Sequence, residues 1–262
     1  MRLITWNINS VRARLEHLGR LAALYAPDVI CLQETKAREE DFPADAVRQM
    51  GYPHLLLRGM KAYNGVAILS RLPLQPAESR DWTGRRDCRH LAARLPGGIE
   101  LHNFYVPAGG DVPDPAENDK FAHKLDFLEE MIRWFPENRD ARAPMLLVGD
   151  LNIAPLESDV WSSRQLAKVV SHTPVEREIL QRALDSFGWR DAMRHAIPEP
   201  GRLYTWWSYR ARDWRKADRG RRLDHIWATP PLLPSLRDMQ VLEEVRGWDT
   251  PSDHAPVLAV FG

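Results

Sequence analysis

Cysteine is scarce: Cys31 and Cys88 are the only two among 262 residues. No disulfide framework can hold this chain, and a reducing compartment, the cytoplasm, is expected. Long apolar runs are missing too. Met1-Arg2-Leu3-Ile4-Thr5-Trp6 enters a strand pattern with no charged-then-apolar leader, and no run nears the ~20 residues that span a bilayer. Secretion, membrane insertion and an N-terminal tail ahead of the folded part are therefore not expected. Net charge is zero, with 36 Lys and Arg against 36 Asp and Glu, which argues against coating nucleic acid by bulk charge. No linker-like tract or repeat divides the chain, and at 44% hydrophobic it can bury a large core. We expect one domain over residues 1–262, acting as a monomer.

What is present is a set of polar clusters attached to apolar runs. Trp6-Asn7-Ile8-Asn9, Gln33-Glu34-Thr35, Gly149-Asp150-Leu151-Asn152 and Ser252-Asp253-His254 each adjoin a strand-like stretch such as Val29-Ile30-Cys31-Leu32 or Met145-Leu146-Leu147-Val148. Such runs must be buried in a sheet, so the carboxylates and amides beside them emerge together at one rim. The gathered groups are hard oxygen ligands, Glu34, Asp150, Asp253 and the Asn7, Asn9 and Asn152 carbonyls, with one imidazole, His254. That set suits Mg²⁺ and phosphate-ester hydrolysis, not zinc or acyl chemistry.

The periodicities predict strands at Arg2 to Ile8, Asp28 to Gln33, Tyr52 to Leu57, Gly65 to Ser70, His90 to Leu95, Ile99 to Tyr105, Met145 to Gly149, Leu223 to Ala228, Met239 to Val245 and Pro256 to Phe261. Helices are predicted at about Arg12 to Tyr25, Ala44 to Met50 and Glu176 to Phe187, and on the face marked by Phe121, Leu125, Leu128 and Ile132. Mixed strands with outer helices fit an α/β class with two sheets packed face to face and flanked by helices.

Each candidate has an ordinary reading beside the chemical one. Glu34 could simply pair with Lys36; with Asn7 and Asp253 also at strand ends, metal ligation is favoured. Asp150 and Asn152 alternate about Leu151, so in an extended segment both would face one site, where the carboxylate can accept a proton from water. An Asx turn is the alternative. His254 needs a group to fix its tautomer, and Asp224, at the start of a late strand, is the candidate. His17, His54, His90, His102, His123, His172, His195 and His225 read as surface or packing residues. Tyr105 could bond a phosphate or merely pack.

From Arg202 to Arg222 eight basic residues face only Asp213 and Asp218, interleaved with Tyr204, Trp206, Trp207, Tyr209 and Trp214. A basic, aromatic stretch can neutralise phosphates and stack on bases; a solvated loop with its tryptophans turned into the core is the other reading.

Together these residues resemble the exonuclease III family of apurinic/apyrimidinic endonucleases, within the endonuclease/exonuclease/phosphatase superfamily. The resemblance runs from Arg2 to Phe261, and its more restrictive parts are Trp6 to Arg14, Tyr105-Val106-Pro107, His172-Thr173-Pro174 and Arg222-Leu223-Asp224. It implies a four-layer α/β sandwich and a Mg²⁺-dependent phosphodiesterase, with Mn²⁺ able to substitute, acting on double-stranded DNA that carries abasic sites or 3′ blocks and leaving a 3′-hydroxyl. By the same resemblance Asn7 and Glu34 would hold the metal with Asn9 and Asp253 nearby, and Asp150, Asn152 and His254 would also serve the metal and phosphate. Asp150 would activate water, Asn152 and Tyr105 would hold the phosphate, and Asp224 would orient His254. Arg12, Lys36, Trp206, Arg221 and Leu223 would contact DNA, the last three around an extruded sugar. Ala108, Asp111, Thr250 and Arg221 depart from the usual residues, which bears on DNA affinity and the balance of activities. A lipid or inositol-phosphate enzyme of this fold would need an apolar membrane loop or a dedicated basic pocket, and neither is evident. A binding module without catalysis fits poorly with Glu34, Asp150, Asp224, Asp253 and His254 all present.

Overall fold

The computed structural model describes residues 1–262. In chain order its strands are β1 (Arg2–Asn7), β2 (Val29–Gln33), β3 (His54–Met60), β4 (Tyr63–Ser70), β5 (Gln75–Pro76), β6 (His90–Arg94), β7 (Glu100–Tyr105), β8 (Met145–Asp150), β9 (Arg190–Asp191), β10 (Trp206–Trp207), β11 (Gly220–Arg221), β12 (Asp224–Ala228), β13 (Leu236–Val241) and β14 (Val257–Phe261). The helices used below are α1 (Leu15–Tyr25), α2 (Ala44–Gln49), α3 (Asp119–Asn138), α4 (Ser163–Leu166) and α5 (Pro174–Ser186). Two six-stranded mixed sheets result, ordered β13-β14-β1-β2-β4-β3 and β5-β6-β7-β8-β12-β9, with β10 and β11 forming a separate ribbon.

The layering follows from alternation along the strands. Leu3, Val29, Cys31, Val66 and Ile68 of the first sheet meet Leu101, Leu146, Val148 and Ile226 of the second in a shared inner core. Their neighbours Ile4, Trp6, Ile30 and Leu32 turn outward onto Leu18 and Leu21 of α1 and Val47 of α2. In the second sheet Leu147 and Trp227 turn outward onto Phe127 and Leu128 of α3 and Ile179 and Leu180 of α5. The order is helix, sheet, sheet, helix. Burying each large apolar side chain is worth ~1.5–3 kcal/mol, so a one-residue register slip, which would reverse every face, is strongly disfavoured.

Strand direction explains why polar clusters from distant segments meet. β1–β2 and β7–β8 are the parallel pairs, so all four deliver their C-terminal ends to one rim. β12 and β14 run antiparallel to their neighbours and bring their starts to the same rim, with Asp224 opposite Asp150. Gly149 permits the close approach of β7 to β8: it has φ +134, and a Cβ there would stand 2.0 Å from the Phe104 carbonyl oxygen.

Four expectations need correction. α1 begins at Leu15, not Arg12, because Arg14 is drawn into contacts with Asn9, Tyr209 and Pro251. β3 spans His54–Met60 rather than starting at Tyr52, whose ring is buried and whose hydroxyl donates to the Pro27 carbonyl at 2.9 Å. β13 spans Leu236–Val241; Glu243 to Gly247 instead form a 3₁₀ turn that drops Val245 into the core beside α1. Asn152 is not extended but left-handed at φ 55, and its N–H donates to Asp150 Oδ1 at 2.9 Å, an Asx turn. Both cysteines are free, Cys31 buried and Cys88 half-buried. No helix is long and apolar enough to cross a membrane.

The histidines also hold more than packing roles. The Arg80 N–H donates to His90 Nδ1 at 3.1 Å, which leaves the His90 Nε2 proton for His102 Nδ1 at 3.0 Å, and His102 Nε2–H then donates to Glu100 Oε1 at 3.1 Å. Burial holds both imidazoles below their ordinary value and therefore neutral. Glu100 also accepts from Arg139 Nε at 2.5 Å. Burial pushes its carboxyl up, but the bonds from His102 and Arg139 outweigh this and hold it at about 2. A carboxyl depressed in the folded state stabilises above its unfolded value, ~4.3, and that contribution is lost as pH falls toward 2. The melting-temperature gap between the parent and Glu100→Gln should therefore narrow by about 2–4 °C from pH 6 to pH 3, the shift for ~1 kcal/mol after screening. A gap constant with pH would mean that Glu100 contributes no linked charge.

Candidate active site

Asn7 closes β1 and is fully buried. Its Nδ2 donates to Glu34 Oε1 and to Asp150 Oδ2, both at 2.9 Å, so one amide joins the two sheets across the rim. Just below, Gln33 Nε2 donates to Asn103 Oδ1 at 2.7 Å, a second link between sheets. Glu34 further accepts from the Tyr105 hydroxyl at 2.9 Å and pairs with Lys36 at 2.8 Å. Burial would raise its carboxyl, but the bonds from Asn7 and Lys36 bring it below the usual range. Asn9, Ser10, Glu34, Lys36 and Asn152 all have positive φ without being glycine, the kind of backbone strain that functional sites hold.

On the far side, Asp253 accepts from Asn9 Nδ2 at 3.1 Å and from Trp206 Nε1 at 2.9 Å. The adjoining His254 places Nδ1 2.8 Å from Asp224 Oδ2 and Nε2 3.7 Å from Asp150 Oδ2. Burial alone would pull the imidazole down; Asp224 and Asp150 reverse this and hold it at about 10, so it is a cation at neutral pH. Asp150 moves the other way. Burial, helped by Asp224 and Glu34 and opposed by His254, pushes its carboxyl up to about 7. A carboxyl raised toward neutrality beside an imidazolium matches the division of acid and base roles found in hydrolases.

The donor set fits a hard cation. Glu34, Asp150, Asp224 and Asp253 converge against only Lys36 and His254, Asp224 Oδ1 is buried with no protein partner, and the Lys36 ammonium already lies between Glu34 Oε2 and Asn9 Oδ1, at 2.8 and 2.7 Å. Asp150, Asp224 and His254 by themselves offer three ligand atoms within 4.8 Å of one another. Asn7 presents its N–H side to the carboxylates, so ligation through its carbonyl requires the amide plane to turn over.

Tyr105, Asn152, Glu34 and His254 line a cavity of about 880 Å³ whose walls include Trp161, Trp206, Trp214, Arg221 and Leu223. The Arg221 guanidinium lies over the Trp206 ring at 5.2 Å and donates to the Val170 carbonyl and the Ser171 hydroxyl. Arg12 stays exposed outside this gathering, and Arg14 takes the inward place, bonding the carbonyls of Asn9 and Pro251 and the Tyr209 hydroxyl. The basic stretch divides: Arg202 is tied to Asp218 and Glu243, and Arg222 is buried between Asp159 and Asp191, so neither is open to phosphate. Its aromatics divide as well, with Trp207 and Tyr204 in the core and Trp206, Tyr209 and Trp214 reaching the surface. Sequence reasoning gave no role to Arg14, Thr205 or Ser252, although Arg14 and Ser252 lay inside recognised motifs, and it named Tyr209 only as an aromatic of the basic stretch. Thr205 Oγ1 accepts from the Asp224 N–H and Ser252 Oγ donates to the Asn7 carbonyl.

Comparison with known proteins places the chain in a family. Residues 4–254 match the model of the Endonuclease/Exonuclease/phosphatase family. The chain is 31% identical to exodeoxyribonuclease III of Haemophilus influenzae, with all of both proteins covered. Among solved structures it superposes on an AP endonuclease from Archaeoglobus fulgidus (32% identity, TM-score 0.91) and on the 3′ phosphatase NExo from Neisseria bound to a product DNA hairpin (34%, 0.90), covering 100% of this chain and 99% of the other in both cases. The chain belongs to the endonuclease/exonuclease/phosphatase family, in its exodeoxyribonuclease III branch.

Proposed function

We propose that this chain is a Mg²⁺-dependent DNA-repair phosphodiesterase that incises duplex DNA 5′ to abasic sites and clears blocked 3′ ends to leave a 3′-hydroxyl. The observation that carries this reading is the buried Asp150, His254 and Asp224 group, facing the Asn7-bridged Glu34 at the floor of an aromatic and basic cavity. Asp150, with its carboxyl near neutrality, accepts the proton of the attacking water. His254 Nε2–H, too far from Asp150 to bond it, is free to donate to a non-bridging phosphate oxygen while Asp224 holds the ring. Asn152 has one amide proton on the Val106 carbonyl and one left for the phosphate. As the water oxygen bonds to phosphorus, the P–O3′ bond breaks and its electron pair leaves on the 3′ oxygen, which takes a proton from solvent to end as the hydroxyl while Asp150 returns its proton to solvent. Glu34, Asn9, Asp253 and a turned-over Asn7 would hold the cation, which supplies positive charge to the crowded phosphate oxygens.

Two duplexes, one with an abasic analogue and one with a 3′-phosphate, test the reading with Mg²⁺, with EDTA and with Mn²⁺ restored. Both should be processed with either metal and neither in EDTA. Cleavage persisting in EDTA, or faster turnover of an inositol phosphate than of either duplex, would sink it.

The balance between the two activities is assigned to Trp206 and Arg221. Trp206 and Leu223 form an apolar wall suited to a baseless sugar, and Arg221 covers part of it, which favours 3′-end work. Trp206→Ala should weaken abasic incision more than 3′-phosphate removal, by about tenfold in the ratio, and Arg221→Trp should shift the ratio the other way. Equal loss of both activities with a lower melting temperature would mean that Trp206 serves packing instead.

A further inference from the structure

Lys124 on α3 is completely buried, a rare position for an ammonium. Its three protons meet three acceptors: Glu176 Oε1 at 2.5 Å, the Asn152 carbonyl at 2.8 Å and the Ala108 carbonyl at 3.2 Å. Glu176, at the start of α5, in turn accepts from the N–H groups of Ser171 and Thr173 and from the Thr173 hydroxyl. One ion pair therefore gathers the loop after β7, the turn after β8 and the segment leading into α5. The first of these wraps the lysine closely: Gly109 has φ +90, and a Cβ there would stand 3.0 Å from Lys124 Cδ and 3.1 Å from Val170 Cγ1.

Stability is a weak account of this arrangement. Desolvating two charges offsets most of their attraction, and apolar replacements of buried pairs are often neutral or better. The segment that gains is Asn152. Asparagine tolerates the left-handed region better than most non-glycine residues, and here its partners fix it there: the ammonium takes its carbonyl, Asp150 takes its N–H and the Val106 carbonyl takes its side chain. Ser171, bonded to Glu176 through its N–H, also receives Arg221 on its hydroxyl, so the same hub reaches the cavity wall.

We propose that Lys124, held by Glu176, is a positioning residue that fixes the turn carrying Asn152 so that the Asn152 amide meets the scissile phosphate. The proposal rests on the assignment of Asn152 to the phosphate, and its test separates the two. Lys124→Met combined with Glu176→Gln leaves no unpaired buried charge and keeps a capping side chain at the start of α5. On a 3′-phosphate duplex at saturating Mg²⁺ this variant should lose about tenfold or more in kcat with KM within about threefold, and its melting temperature should stay within a few degrees of the parent. In an Asn152→Ala background the same pair of substitutions should cost less than about threefold, since the positioned group is gone. Full activity of Asn152→Ala alone would overturn the role of Asn152. An Asn152→Ala enzyme that is crippled, yet loses the same further factor on changing Lys124 and Glu176, would overturn the role of Lys124, as would an unimpaired Lys124→Met/Glu176→Gln enzyme. Should that variant melt early, Lys124→Gln combined with Glu176→Gln, which restores polar partners without charge, is taken through the same cycle and decides on the same criteria.

Discussion

Asp150→Asn should lower turnover by about two or more orders of magnitude while leaving DNA affinity within a few-fold of the parent. The substitution preserves shape but removes the one carboxylate whose value lies near neutrality and whose Oδ2 faces His254 Nε2. It also replaces an acceptor with a donor. If the asparagine oxygen keeps the Asn152 N–H, its amide nitrogen must face Asn7 Nδ2, so a stability loss of ~1–3 kcal/mol should accompany the loss of rate. Single-turnover rates on a 3′-phosphate duplex, read beside a binding titration, check this. A rate within about threefold of the parent would remove Asp150 from the role of proton acceptor.

Asp224→Asn comes next in expected size, at about a hundredfold in turnover. The asparagine oxygen can still accept from His254 Nδ1, so ring orientation survives and only the charge is lost. Burial is the strongest influence on this imidazole and favours the neutral form; Asp224 is the largest single opponent. Without it the value must fall, so the imidazolium present across the neutral range in the parent is lost as pH rises in the variant. The deficit should accordingly be smaller at pH 6 than at pH 8. A deficit independent of pH would mean that Asp224 acts through geometry and not through the charge it keeps on His254.

The rim clusters were legible because a polar residue directly after a buried apolar run has few places to go. Glu34, Asp150 and Asp224 stand at strand ends whose burial was plain from Val29 to Leu32, Met145 to Val148 and Ile226 to Ala228. The two-sheet sandwich was legible for the same reason. Less could be read where a charged side chain is buried against partners far along the chain. Lys124 and Glu176 are 52 residues apart, and Arg222 meets Asp159 across 63; neither separation carries a local pattern. The His90 and His102 pair looked ordinary because its chain of protons depends on two adjacent strands in register, which no single strand reveals. β13 was misplaced because it is an edge strand with mostly exposed side chains, while the buried Leu242 and Val245 that imitate a strand belong to the turn after it.

The amide of Asn7 spans Glu34 on one sheet and Asp150 on the other. Catalytic alignment is therefore a property of the interface between two sheets and not of either alone. A slide of one sheet by a single residue, ~3.4 Å, would leave every strand intact and still pull Asp150 away from Asn7. Trimming a side chain in the shared inner core, such as Val148, should therefore lower the melting temperature by several degrees and blunt activity as well, through altered spacing. Conversely, anything that binds across the seam clamps both halves, so DNA occupancy should slow hydrogen exchange deep in the inner core, far from any nucleotide it touches.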